Sequence, residues 1–167
     1  RPRVADLGTG SGAIAAAIAR ARADAEVMAT DVDTRALALA RRNAERLGVR
    51  VETRLGAWWA PLVGQRFDLV VSNPPYVRAG DPHLAALHAE PQIALVAGDD
   101  GLDALRAIVA GAGQHLRAGG WLVLEQGYDQ AEAVQALLAG HGFEAIETRS
   151  DLAGLARCTG GSFAPPT

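Results

Sequence analysis

The chain has 167 residues, is 49% hydrophobic, and carries a formal net charge of -3 from 19 acidic and 16 basic side chains. That is the length of one domain with a full core. The weak negative balance offers no electrostatic drive toward nucleic acid, and no apolar run or leader pattern marks a membrane span or signal peptide, so a soluble cytoplasmic protein is expected. All 16 basic residues are arginine, which excludes a lysine nucleophile or Schiff base. The single Cys158 excludes an internal disulfide framework and a cysteine zinc site.

The chain opens abruptly on Arg1-Pro2-Arg3, as a piece of a longer sequence would. Arg3-Val4-Ala5 reads as the tail of a strand, and Ala13 to Arg20 as a helix of strong helix formers. Between them lies Asp6-Leu7-Gly8-Thr9-Gly10-Ser11-Gly12. Strand, glycine loop and helix form the setting of a nucleotide-binding loop, in which glycines allow close approach of backbone to ligand. Glu26 to Thr30 reads as the second strand. Asp31 follows it, 23 residues after Gly8, where a carboxylate can accept hydrogen bonds from ribose hydroxyls. Gly8-x-Gly10-x-x-Ala13 also satisfies the dinucleotide fingerprint, so a nicotinamide enzyme competes. Asp6, just before the loop, suits a cationic ligand better than an anionic pyrophosphate.

Thr34 to Leu47 reads as a helix with Leu37, Ala40, Ala44 and Leu47 as its apolar stripe and Gly48 as its stop; Asp33 belongs to the helix start rather than to a metal site with Asp31. Arg50 to Leu55 alternates as a third strand. Trp58-Trp59 follows, where Trp58 is placed to pack against an adenine and Trp59 fits core or surface equally well.

Phe67 to Ser72 is an apolar run of the kind found in buried parallel strands, which deliver reactive groups at their carboxyl ends. Asn73-Pro74-Pro75-Tyr76 comes directly after it. The prolines supply carbonyl acceptors with no matching N–H, Asn73 adds a side-chain acceptor, and Tyr76 adds a flat ring. Such a claw suits a planar group bearing an NH2, either an amide or the exocyclic amine of a base. Hydride transfer would give it no role. S-adenosylmethionine, with a sulfonium, an amino-acid end and a ribose but no phosphate, satisfies the glycine loop and the claw together.

The long stretch after Tyr76, which includes Glu90-Pro91, has the length of a lid or binding segment. Leu102 to Leu116 reads as a helix stopped by Gly119-Gly120, Trp121 to Glu125 as a central strand with Glu125 a candidate for the cleft, and Tyr128 to Ala139 as a further helix. Glu144 to Arg149 and Leu155 to Thr159 read as two strands joined by a turn, hence an antiparallel hairpin. Pro165-Pro166-Thr167 reads as a frayed tail. His83, His88, His115 and His141 lack metal-ligand spacing and are expected at the surface, and no metal site is expected.

Taken together, these stretches resemble the methyltransferase domain of the bacterial release-factor glutamine N5-methyltransferases (PrmC, also called HemK). The resemblance runs through Asp6 to Ala15, Ala40-Arg41-Arg42-Asn43-Ala44, Val71 to Val77, Glu90-Pro91, Ala94-Leu95, Asp100-Gly101-Leu102, Gly119 to Glu125 and Asp151-Leu152-Ala153-Gly154. It implies a Rossmann-like class I S-adenosylmethionine-dependent fold: a mostly parallel seven-stranded sheet with a C-terminal antiparallel hairpin and helices on both faces, spanning 1–167. It implies S-adenosylmethionine as methyl donor and the glutamine of a release factor's Gly-Gly-Gln motif as acceptor. Donor contacts carry over to Gly8, Thr9, Gly10, Ser11, Gly12, Asp31, Trp58 and Asn73, and acceptor contacts to Asn73, Pro74, Pro75 and Tyr76, with Asn73, Pro74 and Tyr76 catalytic. Two departures stand out. Ala57 occupies a position where the family commonly has an acidic residue, and the family's N-terminal helical domain is not in this chain. The alternative chemistry for the same claw is methylation of a DNA adenine or RNA guanine amine on a flipped base. A non-catalytic module that binds the donor and a partner is a further alternative.

Overall fold

The computed structural model describes residues 1–80 and 97–164. Seven strands form one sheet in the order β3-β2-β1-β4-β5-β7-β6. In chain order they are β1 (Arg3–Leu7), β2 (Glu26–Asp31), β3 (Glu52–Leu55), β4 (Phe67–Ser72), β5 (Leu116–Glu125), β6 (Phe143–Ser150) and β7 (Ala156–Phe163). The first five are parallel to one another. β7 runs antiparallel between β5 and β6. Among the described residues four α-helices lie between them: α1 (Ala13–Ala21), α2 (Thr34–Leu47), α3 (Asp103–His115) and α4 (Ala131–Gly140).

The strand alternation feeds two cores. Ala5, Leu7, Val70, Leu122 and Leu124 pack with Leu105, Ile108 and Val109 of α3 and Val134 and Leu138 of α4. Their neighbours Val4, Val27 and Ala29 pack instead with Ala15 and Ala19 of α1, with Leu69 against them. Period-two alternation sends successive residues to opposite faces, so the helices divide between the two faces as expected. α2 is capped at its start by Asp33, whose carboxylate accepts from the Arg35 amide, and at its end by left-handed Gly48.

Three boundaries differ from the sequence reading by three residues or more. α3 stops at His115 and β5 starts at once, so Gly119-Gly120 does not end the helix. Phe67 pairs with Leu116 and Leu69 with Trp121, which leaves residues 117–120 bulged opposite Asp68. Gly120 is needed there, because a Cβ would stand 3.0 Å from the Phe67 carbonyl oxygen. α4 starts at Ala131 rather than Tyr128, since the Gln130 side-chain oxygen accepts from the Gly127 amide at 2.9 Å and holds a turn ahead of the helix. β7 extends to Phe163, pairing along both β5 and β6. His115 is the fourth correction. It is buried, stacked on Trp59 with ring centroids 4.7 Å apart, and its Nδ1 lies 3.2 Å from the Gln65 carbonyl. Trp59 takes the core alternative, donating from Nε1 to the Ile108 carbonyl at 3.0 Å.

Candidate active site

The parallel strands end in register. Leu7 pairs with Thr30 on one side and with Ser72 on the other, and Ser72 pairs with Leu124. The loops that follow β1, β2, β4 and β5 therefore leave one edge of the sheet. Strand order reverses between β1 and β4, and at such a switch point the two adjoining loops diverge to opposite faces and open a crevice. The glycine loop follows β1 and Asn73-Pro74-Pro75-Tyr76 follows β4, so both leave the sheet at that switch point. The Ser72 hydroxyl donates to the Leu7 carbonyl at 2.7 Å and ties the two stems together.

The glycine loop rests on two carboxylates. Asp6 is 1% exposed, and its Oδ2 accepts from the Thr9 hydroxyl at 2.6 Å and the Ala15 amide at 3.1 Å. Its Oδ1 is buried with no hydrogen-bond partner among the described residues. Burial pushes the Asp6 carboxyl above its ordinary value, the bonds from Thr9 and Ala15 oppose the rise, and the Asp31 charge adds to it. A buried carboxylate with one free oxygen favours a cation nearby. Asp31 lies beyond the loop, its Oδ2 accepting from the Gly10 amide and its Oδ1 from the Asp33 amide, each at 2.9 Å. Each oxygen keeps a further lone pair for a hydroxyl donor.

α2 supports the loop from behind. The Asn43 side chain donates to the Ser11 carbonyl at 2.9 Å, and a Cβ on Gly12 would stand 2.7 Å from the Ala40 Cβ. This gives a physical role to Ala40 and Asn43, which sequence reasoning connected to the site by resemblance alone. Trp58 follows β3 with a left-handed φ of 43°, and its ring reaches Gly8, where an added Cβ would be 3.2 Å from Cζ3. A bulky residue in that conformation is held there at a cost, a feature of functional sites.

Beyond β4, Asn73 is exposed, Pro74 is buried, and Pro75 and Tyr76 are half-buried. The Tyr76 hydroxyl donates to Glu125 Oε1 at 3.2 Å, and its carbonyl accepts from Gln130 Nε2 at 3.0 Å. Burial raises the Tyr76 hydroxyl above its ordinary value, and the Glu125 charge adds to that. Gly101 lies so close beneath that a Cβ would stand 2.4 Å from the Tyr76 carbonyl oxygen. Gly8, Thr9, Gly10, Ser11, Gly12, Asp31, Trp58, Asn73, Pro74, Pro75 and Tyr76 thus all lie at the carboxyl edge of the sheet. Glu90-Pro91, Ala94-Leu95, His83, His88 and the tail from Pro165 lie outside the described residues. Among the described residues, no three His, Cys, Asp or Glu side chains group as metal ligands, and no helix is long and apolar enough to cross a membrane.

Residues 1–143 match the family model described as "Methyltransferase small domain". The chain is 56% identical over 162 residues to the release factor glutamine methyltransferase of Xylella fastidiosa strain Temecula1, a match covering 95% of this chain and 59% of that protein. It is 51% identical over 163 residues to the protein of the same description from Bordetella pertussis, covering 96% of this chain and 60% of that protein. The chain therefore spans about three fifths of these relatives. Among solved structures, the ribosomal protein L11 methylase of Lactobacillus delbrueckii subsp. bulgaricus superposes with a TM-score of 0.74 at 23% identity, over 99% of this chain and 72% of that one.

Proposed function

The chain belongs to the methyltransferase small domain family, and from that premise we propose that it transfers a methyl group from S-adenosylmethionine to the side-chain nitrogen of the glutamine in the Gly-Gly-Gln motif of peptide-chain release factors. The observation that carries this reading is the Leu7–Ser72 pairing. It sets the glycine loop and the Asn73-Pro74-Pro75-Tyr76 claw on adjoining strands, either side of one crevice. The similarity to named release factor glutamine methyltransferases supports the choice of substrate. The same reading assigns the protein to the cytoplasm, with release factors as partners and no direct role for nucleic acid.

The residues present fit the methyl donor. Asp6 is buried directly behind the loop, so its negative charge would favour a ligand carrying an ammonium and a sulfonium through its field rather than by contact. Asp31 would hold the ribose hydroxyls, Trp58 would cover the adenine, and the backbone of Gly8, Thr9, Gly10, Ser11 and Gly12 would line the amino-acid end, with Asn73 on the far wall. Ala57 contributes no polar contact there. When bound, the donor supplies an electrophilic methyl group; the protein orients the acceptor.

An amide nitrogen is a poor nucleophile because its lone pair is delocalised into the carbonyl. In this proposal the Asn73 side-chain oxygen and the Pro74 carbonyl each accept one N–H of the glutamine amide, which fixes the direction of the nitrogen lone pair. The same two acceptors stabilise positive charge as it develops on the nitrogen. Tyr76 packs on the amide plane, and Pro75 stiffens the claw. No strong base is required, because the N-methylated amide cation is acidic enough to lose its proton unaided.

Full-length protein incubated with donor and a release-factor peptide should yield a singly methylated glutamine by mass spectrometry, while duplex DNA and RNA in parallel reactions remain unmodified. Asn73→Ala should lower kcat on the order of 100-fold and leave donor affinity nearly unchanged. Methylation of nucleic acid in place of the peptide would transfer the reading to an exocyclic amine, and donor binding without turnover would reduce the chain to a binding module.

A further inference from the structure

The proposed function assigns Tyr76 a role without saying what aims its ring. The Tyr76 main chain is fixed from one side, by Gln130 Nε2 at 3.0 Å from its carbonyl and by Gly101 packed beneath it. Its ring tip is fixed from another, by Glu125 Oε1 at 3.2 Å from the hydroxyl. Glu125 is the last residue of β5 and pairs with Cys158 of β7. Its strand neighbours Leu122 and Leu124 are fully buried in the α3–α4 core, whereas Glu125 alternates to the other side. Nothing in the packing of that core requires a carboxylate there. The Arg157 guanidinium lies near the same hydroxyl and opposes the Glu125 charge. Arg157 is itself held from behind, with Nε 3.4 Å from Asp151 Oδ2 and Nη1 3.5 Å from the Gln126 carbonyl. Asp151 accepts in addition from the amides of Ala153 at 2.9 Å and Leu155 at 3.0 Å, so the β6–β7 turn that anchors Arg157 is rigid.

Resting on the reading of the claw as the acceptor site, we propose that Glu125 is a positioning residue for methyl transfer: by accepting the Tyr76 hydroxyl hydrogen bond it fixes the plane of the ring against the planar group that receives the methyl. A phenyl ring without this tether can rotate and slide in its slot. A tethered ring presents one face at one angle, and near-attack geometry is sensitive to that angle. The role needs a hydrogen-bond acceptor at position 125 and does not need its charge.

The test uses the full-length protein and four variants: Glu125→Gln, Glu125→Ala, Tyr76→Phe and the Glu125→Ala/Tyr76→Phe double. Glu125→Ala should lower kcat about tenfold, the loss expected for one hydrogen bond that acts in the transition state, with donor affinity unchanged. Tyr76→Phe should match it, and the double variant should be no worse than either single, because both remove the same contact. Glu125→Gln keeps an acceptor oxygen and should recover most of the activity. A general structural role would predict instead that losses follow thermal stability and multiply in the double variant, and that outcome overturns the proposal. A second readout does not depend on the substrate. NMR of protein labelled at tyrosine 13Cζ should show the Tyr76 titration moving to lower pH in Glu125→Ala, since both an accepting oxygen and a nearby negative charge favour the protonated hydroxyl. An unmoved Tyr76 titration overturns the contact and the proposal with it. Failure of the parent protein to methylate the release-factor peptide, with the titration shift intact, would overturn the substrate assignment and leave the Glu125–Tyr76 tether supported.

Discussion

Two glycines of the same loop should fail in different ways when a methyl group is added. Gly10 and Gly12 both have positive φ, 55° and 78°. Alanine in that region costs about 1–2 kcal/mol at either position. The surroundings then separate them. A Cβ on Gly10 meets nothing within 4 Å, whereas on Gly12 it meets the Ala40 Cβ at 2.7 Å and Cα at 2.9 Å. The second obstacle is helix backbone and cannot swing aside, so overpacking adds about 1–3 kcal/mol. At the middle of each range Gly12→Ala should therefore lose about 3.5 kcal/mol in total and melt about 7–14 °C below the parent, against about 3–6 °C for Gly10→Ala. Donor binding should reverse the order of specific effect. The open space above Gly10 is where the proposal seats S-adenosylmethionine, so Gly10→Ala, still well folded, should weaken donor binding about tenfold or more by calorimetry. Equal melting temperatures for the two variants would refute the packing argument. Parent-like donor affinity in Gly10→Ala would refute the placement of the donor.

Two further outcomes are expected. Trp58→Ala should weaken donor binding by about 1–3 kcal/mol, the range for a base stacked on an aromatic ring, as measured by calorimetry with S-adenosylhomocysteine; unchanged affinity would remove Trp58 from the site. Asp6→Asn should exchange binding for stability. Because burial raises the Asp6 carboxyl in the folded chain, its favourable contribution is complete below the ordinary value of 3.8 and is lost as pH rises through the raised value. The variant should therefore gain on the parent in melting temperature as pH increases from about 4, while binding the methyl donor less tightly; a gap that does not grow with pH would refute the linkage.

The residues at the ends of the early strands were legible because their signals are local. A strand, three glycines and a helix follow one another directly, and Asp31 and Asn73 each close an apolar run. Parallel strands with aligned ends then bring these loops to one edge with no further information. What was not legible depends on partners distant in sequence. The start of β5 is decided by the fit of Gly120 against Phe67, and a double glycine carries the same local signature whether it stops a helix or forms a bulge. His115 is buried because Trp59 stacks on it, and neither residue announces the other. The delay of α4 comes from a Gln130 side chain competing for the Gly127 amide. Glu125 drew notice only as the end of an apolar strand; its bond to Tyr76 spans 49 positions.

The Ser72–Leu7 bond has a consequence for how reach is set in this molecule. It locks the stems of two loops that leave neighbouring strands, and the separation of such strands is fixed at about 4.8 Å by backbone hydrogen bonding. In the proposed reaction the separation of donor and acceptor is thus graduated by the sheet itself, as on a ruler, and owes little to loop closure. Insertions or exchanges farther out, beyond Tyr76 or at the β6–β7 tip, would alter what surrounds the proposed acceptor site without recalibrating that span.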